Sequence, residues 1–268
     1  MPPDLPPDDD PRRLRSATWL RFFRVALTRQ LRRSFHAVRI ARPGVPAVPD
    51  DCPLIVYVNH ASWWDGALVP VLLDRLFPAR RVFGPIDADA LARYRFMRRL
   101  GFFGVRPGFA GAATFLRTGR ALLASPDTLF CLTPQGRFVD ARVRPVALQP
   151  GLAALVATVP RVTVLPLAIE YPFWSERTPE ALVRFGEPQA LGRDTAASRA
   201  DLGAMLAARL GDTMDRLAAD AISRDPDRFE TLLDGSAGVG GVYDLGRRLK
   251  AWSRGERFDA AHVRERTS

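Results

Sequence analysis

Residues 54–65 read LIVYVNHASWWD, an apolar run that gives way abruptly to an asparagine, a histidine and, five residues beyond the histidine, an aspartate. The first five residues have the length and the branched or aromatic side chains of a buried strand. The apolar stretch at residues 68–76 predicts a helix. The polar residues therefore lie in a loop between a strand and a helix, a position that often carries reactive side chains because a rigid scaffold holds it.

Apolar segments of these two kinds alternate along the chain. A basic and aromatic helix is predicted at residues 91–103. Strands that alternate with helices indicate an α/β fold with a mixed, largely parallel β-sheet flanked by helices. Further strands are predicted at 128–132, 162–170 and 181–185, and further helices at 114–123, 151–157 and 198–222.

Composition divides the sequence into four segments. Residues 1–11 are acidic and proline-rich, which predicts a disordered tail. Residues 12–47 are predicted to be a basic amphipathic helical segment, residues 48–190 the α/β domain, and residues 191–268 a helical C-terminal extension. The glycine-rich stretch at 235–244 lacks both a preceding strand and the lysine of a phosphate-binding loop, which favours a flexible or helix-capping role.

The chain carries a formal net charge of +10, and residues 12–42 contain ten arginines and no acidic residue. At helical spacing this segment separates an apolar stripe from an arginine face. Such a helix suits an anionic bilayer surface, and the alternative is that the stripe packs on the domain and leaves the arginines in solvent. The stripe consists of Trp19, Leu20, Phe23, Ala26, Leu27, Leu31 and Val38, opposite Arg21, Arg29, Arg32 and Arg33.

Several kinds of protein are not indicated by the sequence. Cys52 and Cys131 are isolated and no His/Cys cluster has the spacing of metal ligands, so we expect neither a disulfide framework nor a metal site. The acidic start differs from a signal peptide, and no run of about 18 apolar residues predicts a transmembrane helix. We therefore expect a protein bound peripherally at the cytoplasmic face of a membrane.

His60 and Asp65 are the candidates for catalysis. A carboxylate that holds one ring nitrogen of a histidine leaves the other nitrogen free to act as a base near neutral pH. A separation of five residues, across the end of a strand and the start of a helix, allows the two side chains to meet. From this spacing alone, a structural histidine with a satisfied ring is the simpler interpretation.

The ordered set of motifs around them favours catalysis. Residues 59–65, with the pattern N-H-x-S-x-x-D, resemble the first motif of the PlsC-like glycerolipid acyltransferase family, the 1-acylglycerol-3-phosphate acyltransferase type. Residues 101–106 (GFFGVR) resemble its second motif and residues 132–137 (LTPQGR) its third. Residues 164–169 (VLPLAI) resemble the fourth, so the resemblance covers roughly residues 50–190.

The resemblance implies a role for each motif residue. His60 would be the general base toward an acceptor hydroxyl, and Asp65 would fix its tautomer. Arg106 would bind a phosphate of the acceptor. Asn59 and Ser62 would orient the loop or donate hydrogen bonds, with helix capping an equal alternative for Ser62. The substrate-binding residues of the third motif would be Pro134, Gln135, Gly136 and Arg137, with Gly136 allowing close approach of the backbone.

The implied reaction moves a fatty acyl group from acyl-coenzyme A or acyl-carrier protein to a lysophospholipid or related lipid, without a cofactor. The third motif departs from the family pattern. Gln135 replaces a glutamate, Arg137 comes one place early, and Phe138 stands where the family has arginine. A glycosylated or hydroxylated lipid is therefore an alternative acceptor, unless Arg142 or Arg144 restores the charge.

The sequence also raises three rival functions. The arginine content suggests nucleic-acid binding, but no recognisable motif supports it, so we expect no nucleic-acid partner. A serine hydrolase is disfavoured because the G-x-S-x-G nucleophile motif is absent. A catalytically inactive family member that acts as a lipid-binding module is the third rival.

Overall fold

The structure, a computed structural model, describes residues 5–6, 8–195 and 198–235. Within them nine strands form one sheet, and helices cover both of its faces. The strands are β1 (Ala37–Ala41), β2 (Leu54–Val58), β3 (Arg81–Asp87), β4 (Phe102–Val105), β5 (Thr128–Leu132), β6 (Val162–Glu170), β7 (Ala181–Phe185), β8 (Gln189–Leu191) and β9 (Phe229–Asp234). The helices are α1 (Pro11–Leu14), α2 (Ala17–Ser34), α3 (Asp65–Leu76), α4 (Ala88–Arg93), α5 (Phe109–Leu122), α6 (Gly151–Val156) and α7 (Arg199–Ser223), with 3₁₀ helices at Arg95–Leu100 and Pro226–Arg228.

The strand order across the sheet is β4-β3-β5-β2-β6-β7-β1-β9, and β8 pairs with β6. The first five strands in this order are parallel, β7 and β1 run in the opposite direction, and β9 is antiparallel to β1. The predicted α/β fold with a mixed, mostly parallel sheet is confirmed. Since the five parallel strands end at the same side of the sheet, called the carboxyl edge below, their following loops lie together there.

Strand β2 lies inside the parallel half, and all five of its residues are buried. Ile55 and Tyr57 belong to the apolar cluster formed with α5, α6 and α7. Leu54, Val56 and Val58 belong to the cluster formed with α2 and α3. This alternation is the period of two of a strand that is covered on both faces. The loop that follows β2 is therefore attached to a strand that is buried on both faces.

Most of the predicted elements are present. The strands predicted at 128–132, 162–170 and 181–185 are confirmed with those bounds, as β5, β6 and β7. The helix predicted at 198–222 is confirmed as α7. Four leucines at helical spacing are buried along one side of it, namely Leu202, Leu206, Leu210 and Leu217.

The prediction of helix is wrong for residues 37–41. These residues form β1, which is buried along its whole length between β7 and β9. The strand was not predicted because a charged residue, Arg39, lies in its middle. In the structure, the charge of Arg39 is balanced inside the sheet. Its Nε donates to Glu180 Oε2 at 3.1 Å and its Nη1 to Thr231 Oγ1 at 2.9 Å. Because β1 and β9 belong to the sheet, the sheet extends beyond the domain limits predicted at residues 48 and 190.

The prediction of a single helix at residues 91–103 is also wrong. The segment contains the end of α4, a 3₁₀ helix and the start of β4. Gly101 has a φ of 98°, a left-handed conformation that ends the helical stretch. The chain then pairs with β3, a strand that was not predicted because an arginine, a glycine and a proline interrupt its apolar residues. β8 and β9 were not predicted either.

The two ends of the sequence are described only in part. The disordered tail was predicted through residue 11, but Asp10 is buried and caps α1 by accepting the Arg12 N–H at 2.9 Å. Residues 236–268 lie outside the described residues, and with them most of the glycine-rich stretch and of the predicted C-terminal extension. In the part of the chain that the structure describes, no helix has both the length and the apolar character to span a membrane.

The amphipathic helix α2 has contacts on one side and exposed aromatic residues on another. Leu31 is fully buried, and the Phe23 ring stacks on Phe96 at 4.5 Å between centroids. Part of the apolar stripe therefore packs on the domain. Trp19, Phe22 and Val25 remain 43%, 61% and 64% exposed, so α2 also offers an apolar surface to an external partner.

Candidate active site

Asn59 fixes the start of the loop that leaves β2. Its side chain is fully buried and bonds twice to Ile169 in β6. Its Nδ2 donates to the Ile169 carbonyl oxygen at 3.0 Å, and its Oδ1 accepts the Ile169 N–H at 2.7 Å. The amide thus replaces a backbone peptide in the ladder between the two strands. Of the two roles implied for Asn59, this geometry corresponds to orienting the loop.

The side chains of His60 and Asp65 meet as the spacing predicts. His60 Nδ1 lies 2.7 Å from Asp65 Oδ2. The Asp65 side chain is only 2% exposed, whereas that of His60 is 23% exposed. Asp65 is the first residue of α3, where the positive end of the helix dipole stabilises a carboxylate. The pair therefore consists of a buried carboxylate and a partly exposed imidazole ring.

Two further donors hold Asp65. The Ser62 N–H donates to Oδ2 at 3.0 Å, and the Tyr171 hydroxyl donates to Oδ1 at 2.7 Å. Burial and the nearby carboxylate both raise the pKa of Tyr171, so its hydroxyl stays protonated and remains a donor. Because a carboxylate only accepts, the hydrogen between it and His60 belongs to Nδ1. In the neutral imidazole, the lone pair is then on Nε2.

Ser62 has a local structural role. Its hydroxyl oxygen accepts the Trp64 N–H at 3.2 Å, and its carbonyl oxygen accepts the Asp65 N–H at 3.1 Å. These bonds close the turn that leads into α3. The N-cap position of α3 is Trp64, so Ser62 orients the loop and does not cap the helix. Its hydroxyl is thus engaged in the turn, which is not the arrangement of an activated nucleophile.

The third motif holds the backbone of His60. Gln135 is buried, and its Oε1 accepts the His60 N–H at 2.7 Å. The Val139 N–H donates to the His60 carbonyl oxygen at 2.8 Å. Gln135 was predicted to bind substrate, but its carbonyl oxygen is used to fix the histidine. The two motifs therefore form one unit, although 75 residues separate His60 from Gln135.

The loop that contains Gln135 is itself held by short contacts. The Gln149 N–H donates to the buried Pro134 carbonyl at 2.7 Å. Gly136 has a φ of 69°, and a Cβ at that position would lie 3.2 Å from Gln149 Cγ. A residue with a side chain would be strained there both by its backbone and by its neighbour. The tight turn brings residues 137 and 138 to the surface beside His60.

Phe138 lies against the open side of the histidine. The two ring centroids are 4.4 Å apart with an interplanar angle of 45°, and Phe138 is 59% exposed. The predicted phosphate ligands Arg106 and Arg137 are exposed and, among the described residues, have no acidic partner. Arg106 follows β4, three strands from β2, which corresponds to about 14 Å. The structure thus brings Phe138 to His60 and leaves Arg106 farther along the same edge.

The two arginines considered as replacement cations are paired. Arg142 binds Asp140 at 2.7 Å, and Arg144 binds Asp215 at 2.7 Å. The hydrogen bonds from Arg142 hold the pKa of Asp140 well below its usual range. Burial raises the pKa of Glu170 at the end of β6, against the opposing charges of Arg142 and Arg144. Both cations are therefore balanced by nearby carboxylates.

Other reactive groups lie outside this cluster. Among the described residues there is no group of three or more His, Cys, Asp or Glu side chains that could hold a metal ion. Burial raises the pKa of the Cys131 thiol to about 12, so it remains protonated at neutral pH. The His60–Asp65 pair is the strongest catalytic candidate.

No protein-family model matches the chain, and no curated protein matches it significantly. The functional interpretation therefore depends on the site geometry and on the motif resemblance.

Sequence reasoning missed the contribution of Tyr171 to the site. One signal was available: Tyr171 directly follows β6, the neighbour of the strand that ends before His60. A polar tip on an aromatic ring at that edge is suited to contact the loop. The use of Gln135 on the His60 backbone had no comparable signal.

Proposed function

We propose that the protein is an O-acyltransferase in which His60 acts as the general base toward a lipid hydroxyl. The observation that carries the proposal is the contrast in burial within the dyad: Asp65 is 2% exposed and accepts from three donors, whereas His60 is 23% exposed. A ring held in this way has a defined tautomer and presents Nε2 at the carboxyl edge. This is the arrangement that general-base catalysis requires.

The reaction is a direct transfer within a ternary complex. Nε2 of His60 removes the hydroxyl proton while the oxygen attacks the carbonyl carbon of an acyl thioester. The C–O bond forms, the C–S bond breaks, and the imidazolium returns the proton to the thiolate. Asp65 stabilises the imidazolium, and the Tyr171 hydroxyl and the Ser62 N–H keep Asp65 in place. General-base catalysis of this kind contributes about 10²–10⁴-fold to the rate.

The motif resemblance supports a fatty acyl donor, either acyl-coenzyme A or acyl-carrier protein. It also supports a lysophospholipid or related lipid as the acceptor. Arg106 and Arg137 are exposed at the carboxyl edge and are free to bind a phosphate of either substrate. The mechanism requires no metal or prosthetic group.

A second class of acceptor, a neutral glycolipid or hydroxylated lipid, is favoured by the surroundings of His60. Phe138 contacts the ring, while the charges of Arg142 and Arg144 are balanced by Asp140 and Asp215. An exposed aromatic face suits the apolar face of a sugar or a hydrocarbon segment better than a phosphate.

The outer surface of α2 supports peripheral attachment to the cytoplasmic face of an anionic membrane. Phe22 and Val25 are exposed there, among Arg21, Arg29 and Arg33. Apolar side chains between arginines combine insertion with attraction to anionic headgroups. A basic surface of this kind would also attract an acidic carrier protein.

The test is release of free thiol from long-chain acyl thioesters by the full chain in the presence of small vesicles. Each donor would be combined separately with lysophosphatidate, other lysolipids and a glycolipid. Thiol release by His60→Ala would be measured in the same way, after circular dichroism has shown that this variant folds like the wild type. We expect acceptor-dependent release that falls at least about 10²-fold in His60→Ala. Equal release by both proteins would refute the assignment of the base. Vesicle binding without release for any donor and acceptor would identify a lipid-binding module.

A further inference from the structure

Exposed apolar side chains are concentrated at the carboxyl edge. The loops after β2, β4, β5 and β6 each present one large aromatic residue to solvent. These four residues, called the rim below, are Trp63 (71% exposed), Phe109 (90%), Phe138 (59%) and Phe173 (63%). Phe109 is the first residue of α5, and the other three lie in loops.

The rim extends to both sides of His60. Its loops follow strands that range across the sheet from β4 to β6, four strand intervals or about 19 Å. β2, which leads to His60, is next to the end of this range. The partly exposed imidazole therefore lies among apolar side chains that come from distant parts of the sequence.

The exposure of the rim contrasts with neighbouring aromatic residues that are held inside. Trp64, next to Trp63, packs edge-to-face on Phe35 at 5.1 Å between centroids. Trp174, next to Phe173, donates its Nε1–H to the Ala221 carbonyl at 3.1 Å. In both loops one ring anchors the loop and the adjacent ring faces outward. Several exposed aromatic residues along one edge are typical of a surface that binds a partner.

The charges along this edge are mixed. Arg106 and Arg137 are exposed, but so are Asp87, the last residue of β3, and Asp89 in α4. The outer surface of α2 is different because its arginines have no acidic residue among them in the sequence. The rim therefore suits a partner recognised by apolar contact. Aromatic rings of this kind favour the boundary between lipid headgroups and acyl chains.

We propose that the rim is the surface by which the protein docks on a lipid bilayer, with its aromatic residues inserted at the interface and His60 held at that level. The choice of lipid as the partner rests on the proposed function, because a lipid acceptor must reach His60 from the bilayer. The α2 surface then adds attraction to anionic lipid through its arginines, while the rim is the main site of insertion.

Equilibrium binding of the full chain to vesicles, without any thioester, tests this proposal. The rim variant is Phe109→Ala/Phe173→Ala, which leaves unchanged Phe138, in contact with His60, and Trp63, in the same loop as His60. The matched control is Phe22→Ala/Val25→Ala on α2, which also removes two exposed apolar side chains. Each protein would be titrated with vesicles of phosphatidylcholine alone and of phosphatidylcholine mixed with phosphatidylglycerol.

We expect the rim variant to bind phosphatidylcholine vesicles about tenfold more weakly than the wild type, since two large side chains no longer insert. The α2 variant should bind both kinds of vesicle within about twofold of the wild type, because it keeps the arginines that attract anionic lipid. Unchanged unfolding temperatures would show that the variants fold normally.

Three results would overturn the proposal. The first is a rim variant that binds like the wild type while the α2 variant loses binding. The second is a wild-type chain that binds neither kind of vesicle. The third is a wild-type dimer, seen by light scattering, that dissociates in the rim variant, because the rim would then join two copies. Since no acyl transfer is measured, rim-dependent binding by a chain without transferase activity would refute only the proposed function.

Discussion

The two sides of the His60 ring have opposite characters. On the Nδ1 side, Asp65 is buried and receives hydrogen bonds from His60, Ser62 and Tyr171. On the other side, the His60 ring packs against the ring of Phe138, whose side chain is 59% exposed. One side is fixed before any substrate binds, and the other can adapt to what binds. The fixed side should therefore determine the chemistry and the open side the choice of acceptor.

This division has a physical basis. Groups that are already oriented need no reorganisation when charge develops on the imidazole, so they contribute most to the rate. An exposed ring makes weaker contacts, but it can be exchanged without disturbing the sheet. Substitutions on the two sides should therefore differ in both the size and the kind of effect, once acyl transfer is established.

Asp65→Asn should have the largest effect. The amide preserves the size of the side chain but favours the wrong His60 tautomer and no longer stabilises the imidazolium. We expect acyl transfer to fall on the order of 10³-fold, measured as kcat/KM for the acceptor. Asp74→Asn is the matched control, since Asp74 lies on the same helix and pairs with exposed Arg24 at 3.3 Å. Equal activity of Asp65→Asn and Asp74→Asn would contradict a catalytic role for the dyad.

Tyr171→Phe should have a smaller effect on the same side. The substitution removes one hydrogen bond to a carboxylate and leaves the other two, so we expect about a tenfold loss of kcat. The control is Tyr57→Phe, another buried tyrosine, whose hydroxyl donates to the Leu206 carbonyl at 3.3 Å away from the dyad. That variant should lose stability without losing kcat. A similar loss of kcat in both variants would mean that Tyr171 acts only through stability.

Phe138→Arg probes the open side. A guanidinium next to His60 should improve kcat/KM for a phosphate-bearing acceptor relative to a neutral one by about fivefold, the value of an exposed ion pair. Phe138→Leu is the control, because it removes the ring without adding charge. A preference that is unchanged by the arginine would show that Phe138 does not select the acceptor. A general loss of transfer to all acceptors would place Phe138 on the fixed side.

Glu170→Gln should have the smallest effect, visible in stability. Because burial raises the pKa of Glu170, the folded chain binds its proton more tightly than the unfolded chain does. This contribution is complete below the unfolded pKa and is lost as the pH rises through the folded pKa. We expect the variant to be slightly more stable than the wild type at neutral pH, with the difference vanishing below about pH 4. Urea unfolding from pH 4 to 8 would measure it, and a wild type that is the more stable protein at pH 7 would contradict it.

The sequence predicted the parts of the fold that depend on uninterrupted apolar runs. β5, β6 and β7 could be located because each is a short apolar stretch between turns. β1 could not, because the helical period of α2 continues into Val38 and because the partner of Arg39, Glu180, lies 141 residues away. β3 could not be located because an arginine, a glycine and a proline interrupt its apolar residues. These residues are accommodated because β3 pairs with both β4 and β5.

The site was predictable to a similar extent. The contact between His60 and Asp65 follows from a local spacing, so the sequence alone suggested it. Tyr171 and Gln135 reach the same loop only because β6 and β5 flank β2 in the sheet. Strand order is not encoded locally, so the contributions of these two residues could not be derived before the sheet was known.

The bond between Asn59 and Ile169 has a consequence for isotope exchange. The Ile169 amide hydrogen is held by a side chain at the root of the catalytic loop, at 2.7 Å, and not by the backbone of β2. It is released when Asn59 swings away, even if the surrounding ladder stays closed. The rate at which deuterium replaces this one hydrogen therefore reports how often the His60 loop detaches, separately from the unfolding of the domain.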